Sequence, residues 1–342
     1  MRLLIRADGN AIIGMGHIMR CTAIAESVIS RGGSVSFLIS HDSNPAIFKE
    51  LGFSFEQLKD TSGSLGWNAA ETIKKYNAFG ADCLLLDSYR VDCEQLEKLN
   101  DTCRLFYIDD LYAFDYPANN IINHNFGIDP KKYYPSKYKR NLYLGEKYFP
   151  VRREITIART DLLNEKIKTV IVTTGSTDPY NMALAIVKIL SEQYLEIKFR
   201  IQLGSFYNEG YVRELDEYAN SHINVEVMNW TKQIGHLFAT SDLIIGPGST
   251  TIIEAMTVGV PSICFSFADN QVDQCKIMQE LGLLSYCGDF RYGRDKVLDN
   301  ISTVFSEAIS IEARRKWRKA FGGIFDGLGA ERIAQLLFDI DK

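Results

Sequence analysis

A histidine placed three residues before an arginine and directly behind two glycines is the first arrangement in this chain able to do acid–base chemistry. The stretch reads Arg6-Ala7-Asp8-Gly9-Asn10-Ala11-Ile12-Ile13-Gly14-Met15-Gly16-His17-Ile18-Met19-Arg20. Gly14 and Gly16 permit a tight turn and a close approach of backbone to ligand. His17 then falls in the first turn of a helix whose positive end disfavours imidazolium, which suits a neutral ring taking a proton from water. Two other readings of the same residues stay open. Gly14-x-Gly16 could be part of a dinucleotide fingerprint, although Met19 stands at the third glycine and six residues separate the strand from Gly14. His17 could also simply cap or pack.

Further loops carry groups suited to an anion or a sugar. Ile245-Gly246-Pro247-Gly248-Ser249-Thr250-Thr251 ends a strand, turns on glycines and opens a helix, offering free N–H groups and hydroxyls to a phosphate. Glu254 lies one turn further along that helix, among Ile252, Ile253, Ala255 and Met256, and can accept the two hydroxyl hydrogens of a ribose diol. Thr173-Thr174-Gly175-Ser176-Thr177-Asp178-Pro179 has a similar make-up, and its Asp-Pro also reads as a helix cap followed by proline at the first helical position. Ala268-Asp269-Asn270-Gln271, Asp87-Ser88-Tyr89-Arg90 and Asp109-Asp110 each follow a strand. For these, sugar contacts and ordinary helix caps or surface turns remain alternatives.

The elements that must position these groups follow from apolar runs and breaks. Strands are expected at Arg2–Ala7, Ser34–Ser40, Ala81–Asp87, Arg104–Ile108 and Asn120–Asn123, with helices at His17–Arg31 and Gly66–Phe79. The rhythm breaks over residues 145–167. It resumes with strands Thr169–Thr174, Lys198–Leu203, Val225–Met228, Leu243–Gly246 and Ser262–Phe267, a helix over Tyr180–Glu192, and a helical C-terminus. Near-continuous apolar strands alternating with helices imply parallel sheets covered on both faces. The expected fold is therefore α/β, with two Rossmann-like, doubly wound domains, 1–150 and 151–342, facing across a cleft that collects strand C-termini from both.

The chain has 342 residues, a net charge of -5 and 46% hydrophobic residues. The acidic balance argues against a nucleic-acid partner. No apolar stretch is long enough to span a bilayer and the N-terminus lacks a signal-peptide pattern, so a cytoplasmic protein without a membrane partner is expected. The seven cysteines include no CxxC pair and read as reduced, mostly buried thiols, with no metal site.

Taken together, these loops resemble the UDP-2,4-diacetamido-2,4,6-trideoxy-β-L-altropyranose hydrolases of pseudaminic acid biosynthesis. The resemblance rests on Arg6-x-Asp8, Ile13-Gly14-x-Gly16-His17-x-x-Arg20, Asp87-x-Tyr89, Thr177-Asp178-Pro179, Gly248-Ser249-Thr250 with Glu254, and Ala268-Asp269-Asn270-Gln271, and it runs from residue 1 to about 275. Ser176 stands where the family commonly has glycine, and Pro247 where a small residue is usual. The second half is similar, more distantly, to the transferase that builds lipid II, which implies the glycosyltransferase-B fold. The resemblance implies that His17 activates water, with Tyr89 and Asn270 near the reacting carbon as the other catalytic residues. It implies substrate binding by Asp8, Gly14, Gly16, Arg20, Gly175, Ser176, Met228, Gly248, Ser249, Thr250, Glu254, Asp269 and Gln271. It also implies an inverting, metal-independent reaction without cofactors on a UDP-activated diacetamido sugar, serving cell-surface glycans such as those on flagellin. A monomer is the default expectation. The rival functions are a glycosyltransferase using the same class of donor and a sugar-nucleotide binding protein without turnover.

Overall fold

The computed structural model describes residues 1–59 and 68–339. It divides into two compact units: Met1–Arg153 together with the C-terminal stretch from Gly327, and Glu154–Asp326.

The first unit alternates strands and helices: β1 (Arg2–Ala7), α1 (Gly16–Ser30), β2 (Ser34–Ile39), α2 (Ala46–Leu51), β3 (Phe55–Gln57), α3 (Ala69–Phe79), β4 (Cys83–Asp87), α4 (Cys93–Thr102), then β5 (Leu105–Ile108), β6 (Asn120–Asn123) and β7 (Asn141–Leu144). The strands form one seven-stranded sheet in the order β3-β2-β1-β4-β5-β6-β7. All its neighbours run parallel. Leu3, Ile5 and Leu84 to Leu86 are wholly buried, as expected of central parallel strands covered on both faces. The chain winds outward from β1 to β3, then returns to place β4 beside β1, so the winding direction reverses between these two strands. Ala7 pairs with Asp87, which brings the ends of β1 and β4 level on one sheet edge.

Two strands of this sheet, β3 and β7, escape the sequence pattern. Both are sheet-edge strands of three or four residues, Phe-Glu-Gln and Asn-Leu-Tyr-Leu, too short to carry an apolar run. Helix α3 begins at Ala69, where the Asn68 side chain accepts from the backbone amides of Ala70 (2.9 Å) and Glu71 (3.3 Å). The expected start at Gly66 lies outside the described residues.

The second unit begins within α5 (Arg153–Ile157). It holds β8 (Thr169–Thr173), α6 (Met182–Ser191), β9 (Lys198–Gln202), α7 (Glu209–Ser221), β10 (Val225–Met228), α8 (Ile234–Ala239), β11 (Leu243–Pro247), α9 (Thr250–Val258), β12 (Ser262–Ser266), α10 (Asp269–Glu280), β13 (Ser285–Asp289), α11 (Arg294–Ala308) and α12 (Ile311–Phe321). Its six strands form a second parallel sheet, ordered β10-β9-β8-β11-β12-β13, which reverses between β8 and β11. Strand β13, Ser-Tyr-Cys-Gly-Asp, was not expected, since glycine and polar residues interrupt its apolar pattern. Helix α6 starts at Met182 and not at Tyr180. Pro179 and Tyr180 belong to a turn in which Asp178 O accepts from Asn181 N at 3.3 Å, so Pro179 is not the first helical residue.

The last helix, α13 (Gly329–Phe338), was expected in the second domain and instead belongs to the first unit. It buries Ala330, Ile333, Ala334 and Leu337. Arg104, at the start of β5, donates to the carbonyls of Leu336 (3.2 Å), Leu337 (2.7 Å) and Asp339 (2.9 Å) at the end of the helix. Arg332 reaches the Lys147 carbonyl at 2.9 Å, and Arg31, just after α1, reaches Gln335 at 2.7 Å. None of these cross-chain partners is visible in a helical repeat. The domain boundary accordingly falls after Arg153, and the first unit is completed by residues beyond 326.

The backbone at Gly329 presses on Phe149, and a Cβ there would come within 2.1 Å of the Phe149 carbonyl oxygen. Gly329→Ala is therefore expected to destabilise the protein by about 1–3 kcal/mol through overpacking. The check is a fall in the thermal unfolding midpoint relative to wild type.

Candidate functional site

The reversal between β1 and β4 gathers a cluster of buried charges at the sheet edge of the first unit. His17, in the first turn of α1, is 5% exposed. Its Nδ1 lies 2.6 Å from Asp87 Oδ1 at the end of β4. Arg20, one turn further along α1, grips the same carboxylate: Nε donates to Oδ2 and Nη2 to Oδ1, each at 2.5 Å. Burial alone raises the Asp87 carboxyl, but the charge of Arg20 and the hydrogen bonds from Arg20 and His17 outweigh it and hold the group well below the usual carboxylate range. An ionised Asp87 can only accept. His17 Nδ1 therefore carries the hydrogen of the 2.6 Å contact, and Nε2 points away from the carboxylate. Arg20 Nη2, 3.0 Å from the same Nδ1, is a second donor converging on Oδ1.

Three further groups surround this pair. Arg20 Nη1 donates to Asp110 Oδ2 at 2.9 Å and to His124 Nε2 at 3.2 Å. The Tyr89 hydroxyl donates to the same Asp110 oxygen at 2.8 Å, and its ring stands edge-on to His17 with centroids 4.4 Å apart. Burial, reinforced by Asp110, pushes the Tyr89 phenol well above its usual value, so it stays protonated. Burial, with the neighbouring Arg20 charge, pushes His124 down to about 3, so that ring is neutral. Tyr89 remains 37% exposed and forms the accessible rim of the cluster.

The flanking loop is rigid. The Asn10 side chain accepts from the amides of Ile12 (2.9 Å) and Ile13 (3.1 Å), and Gly14, at φ 76°, closes the turn by donating to Asn10 O at 2.9 Å. Gly16 opens α1, which has no side-chain cap, so the amides of its first turn face the edge where His17 sits. Asp8 is buried and accepts from the Ser40 amide (2.9 Å) and hydroxyl (2.5 Å), with Arg6 Nη1 3.1 Å away. It ties β1 to β2 and shows no oxygen turned outward to a ligand. Asp109 and Asp110, alike in sequence, divide their work. Asp109 holds its own loop through the amides of Leu111 and Tyr112 and the Tyr133 hydroxyl, whereas Asp110 joins the charge cluster.

In the second unit the reversal between β8 and β11 brings two loops to one edge. Ser249 precedes α9 without a side-chain cap, and Thr250 begins the helix, so the first-turn amides are open to an anion. Gly248 is packed so closely that a Cβ would come 2.0 Å from Cys275 Sγ, which accounts for glycine after Pro247. Glu254 sits on α9 at 6% exposure. After β8, Gly175 adopts φ 81° and Ser176 is half-buried beside it. Asp178 caps α6 by accepting from Met182 N (2.7 Å) and Ala183 N (2.9 Å), with the Tyr211 hydroxyl at 2.8 Å. Met228 ends β10 and is half-buried. Residues 269–271 open α10, another helix with no side-chain cap. There, Asp269 points outward to Arg291 at 2.7 Å, Asn270 is exposed, and Gln271 Oε1 accepts the Phe267 amide at 3.0 Å.

The expected site residues thus fall into two groups, one per unit. Asp8, Gly14, Gly16, His17, Arg20 and Tyr89 gather at the β1/β4 edge. Gly175, Ser176, Gly248, Ser249, Thr250 and Glu254 gather at the β8/β11 edge, with Asp269, Asn270 and Gln271 after the adjacent β12 and Met228 at the end of the outer strand β10. Sequence reasoning did not pair Asp87 with His17, read Asp110 as a sugar contact or a cap and not as a partner of Arg20, and assigned no role to His124. The signal for Asp87 was present: a carboxylate that ends the fully buried run Leu84-Leu85-Leu86 needs a charged partner. Nothing comparable marked His124. Among the described residues no group of three or more His, Cys, Asp or Glu is placed to hold a metal ion. No helix there is long and apolar enough to cross a membrane.

Residues 169–286 match the glycosyltransferase family 28 C-terminal domain. That segment runs from β8 to the start of β13, and so includes both loops of the β8/β11 edge. The whole chain has the two-sheet architecture of glycosyltransferase-B enzymes. It superposes on MurG of Acinetobacter baumannii with a TM-score of 0.67 at 12% identity, covering 98% of each chain. With the spinosyn rhamnosyltransferase SpnG the TM-score is 0.65 at 13% identity, over 98% of this chain and all of that one. Among curated proteins, the spore coat polysaccharide biosynthesis protein SpsG of Bacillus subtilis is 23% identical, over 99% of this chain and 98% of its own length. The Helicobacter pylori pseudaminic acid cytidylyltransferase and UDP-2,4-diacetamido-2,4,6-trideoxy-β-L-altropyranose hydrolase is 22% identical over 96% of this chain. The chain spans about half the length of that protein, 54%, and of the uncharacterised protein MJ1062 of Methanocaldococcus jannaschii, 55%.

The buried carboxylate generates a stability test. Asp87 has a folded-state value depressed below its ordinary 3.8, so its contribution is fully present above that value and is lost as pH falls toward the depressed one. Asp87→Asn, which leaves Arg20 buried beside a neutral amide, is expected to cost about 3–5 kcal/mol near neutral pH. The gap between variant and wild type should narrow below pH 3.8, as followed by thermal unfolding between pH 7 and pH 3.

Proposed function

We propose that this chain hydrolyses UDP-2,4-diacetamido-2,4,6-trideoxy-β-L-altropyranose, releasing UDP and 2,4-diacetamido-2,4,6-trideoxy-L-altrose. The observation that carries the reading is the 2.6 Å contact between His17 Nδ1 and Asp87, which spends Nδ1 on the carboxylate and leaves Nε2 as the nitrogen to act as base. In the proposed step a water gives its proton to Nε2 while its oxygen attacks the anomeric carbon. The bond from that carbon to the diphosphate oxygen breaks, and UDP departs with the electron pair. A single displacement of this kind inverts the anomeric carbon. Diphosphate needs charge stabilisation more than protonation, and the uncapped start of α9 at Ser249 and Thr250 is suited to supply it. Glu254 would take the ribose hydroxyls, and Gly175, Ser176, Gly248 and Met228 would line the nucleotide. Tyr89, Asn270, Asp269 and Gln271 would meet the sugar.

The match over residues 169–286 supports a nucleotide-sugar donor, and the Helicobacter pylori relative supports the hydrolytic reading. The same match and the MurG and SpnG likenesses favour a second reading, a glycosyltransferase in which His17 takes the proton of an acceptor hydroxyl instead of water.

Incubation with the UDP-sugar and no acceptor separates the two. Hydrolysis predicts rapid UDP release, with NMR showing the free sugar first in the inverted anomeric form. Release only on addition of an acceptor would favour the transferase. His17→Asn is expected to slow turnover by about 10²–10⁴-fold while leaving UDP affinity by calorimetry unchanged. Near-native turnover in that variant would remove His17 from the mechanism.

A further inference from the structure

The geometry assigns Arg20 the part of a positioning residue: its guanidinium neutralises Asp87, so that the Asp87–His17 contact stays a carboxylate beside a neutral imidazole and does not become a carboxylate–imidazolium pair. The assignment rests on the reading of His17 as the base, and it departs from the substrate-binding part that the family resemblance implies for Arg20. All three guanidinium nitrogens are engaged inside the protein: Nε and Nη2 on Asp87, Nη1 on Asp110 and His124. The side chain is 7% exposed, so no face of it is turned to a phosphate or sugar.

The charge count around His17 is set by few groups. Arg20 from α1, Asp87 from the end of β4 and Tyr89 from the loop after it contact His17 directly; behind them, Cys21 contacts Asp87, Asp110 contacts Arg20 and Tyr89, and His124 contacts Arg20. Tyr89 and Cys21 are kept protonated and His124 is kept neutral, each chiefly by burial. Arg20 donates to His124 Nε2, which that nitrogen can accept only when unprotonated. The formal charges left are one cation, Arg20, between two anions, Asp87 and Asp110.

Removing Arg20 would leave Asp87 in a water-poor site with His17 as its nearest cationic partner. A buried carboxylate in that position is most cheaply neutralised by a proton on the adjacent imidazole. That proton would occupy Nε2 and end its capacity to accept one from water. Removing the charge of Asp110 does the opposite. Arg20 then stands against a single anion, the surroundings of His17 become more positive, and its protonation is disfavoured.

The test is long-range ¹H–¹⁵N NMR of the labelled full chain, with the His17 signals assigned by their loss in His17→Gln. Wild type is expected to show the Nδ1–H tautomer. Arg20→Met should move the His17 titration midpoint up by about one pH unit, a roughly tenfold change, and Arg20→Lys should bring it part of the way back. Asp110→Asn, in which Asp87 still anchors Arg20, should move the midpoint down. The acidic limb of the pH profile for UDP release should move in the same direction in each variant. An unmoved midpoint in folded Arg20→Met, or a shift of the same sign in Arg20→Met and Asp110→Asn, overturns the assignment. If Arg20→Met does not fold, an unmoved or raised midpoint in Asp110→Asn overturns it alone. The NMR needs no substrate, so opposite shifts without UDP release from the UDP-sugar would sink the hydrolase reading and leave Arg20 where it stands. UDP release with unmoved midpoints would do the reverse.

Discussion

A carboxylate with no exposed surface holds the first unit's chemistry together. Asp87 ends a strand of leucines, and its two oxygens are shared between an imidazole and a guanidinium that leave the same helix three residues apart. Such a group is tolerable in the interior only with full charge and hydrogen-bond compensation. Its three short contacts therefore dictate how α1 lies on β4, and which face of His17 is spent and which is free. The turn at Asn10–Gly14, the tie between Asp8 and Ser40, and the loop that Asp109 organises all serve to bring partners to that position.

The second unit handles charge by the opposite means. Where the first compensates a buried anion with side chains, the second leaves backbone donors open at a strand-to-helix turn. Helices α3, α4, α7 and α12 have their first amides capped by Asn68, Asp92, Asn208 and Ser310. Helices α9 and α10 do not, and both begin where strands at or beside the sheet reversal end. Fixed peptide dipoles suit a diphosphate, since they need no reorientation as negative charge develops on the leaving oxygen.

Both sheets were legible because their central strands are uninterrupted apolar runs, and the loops of interest were legible because glycine and hydroxyl residues follow those runs. What escaped has a common physical form. The edge strands β3, β7 and β13 bury too little to impose a pattern on their residues. The Asp87, Asp110 and His124 partners come from strand ends and loops between 67 and 104 residues beyond Arg20, a pairing that only the winding order of the sheet creates. Asp8 shows the converse: an acid beside a glycine-rich turn looked like a ligand contact, yet its oxygens serve Ser40 and Arg6. Residue types announced that polar chemistry lay at the strand ends; topology decided which of those groups face one another and which are consumed in holding loops.

The return of α13 to the first unit makes that unit discontinuous in sequence. Glu154–Asp326 is bracketed on both sides by segments of its neighbour, so in topological terms it is an insertion within a discontinuous unit. Cutting the chain after Arg153 would strip the first sheet of the helix that Arg104 and Arg31 anchor, and would leave α1 with an uncovered apolar face. The inserted segment, by contrast, is continuous in sequence and carries the whole of its own sheet. Of the two, it is the piece that dissection can excise as a single fragment, whereas the flanking piece has to be rejoined through a new linker to exist by itself.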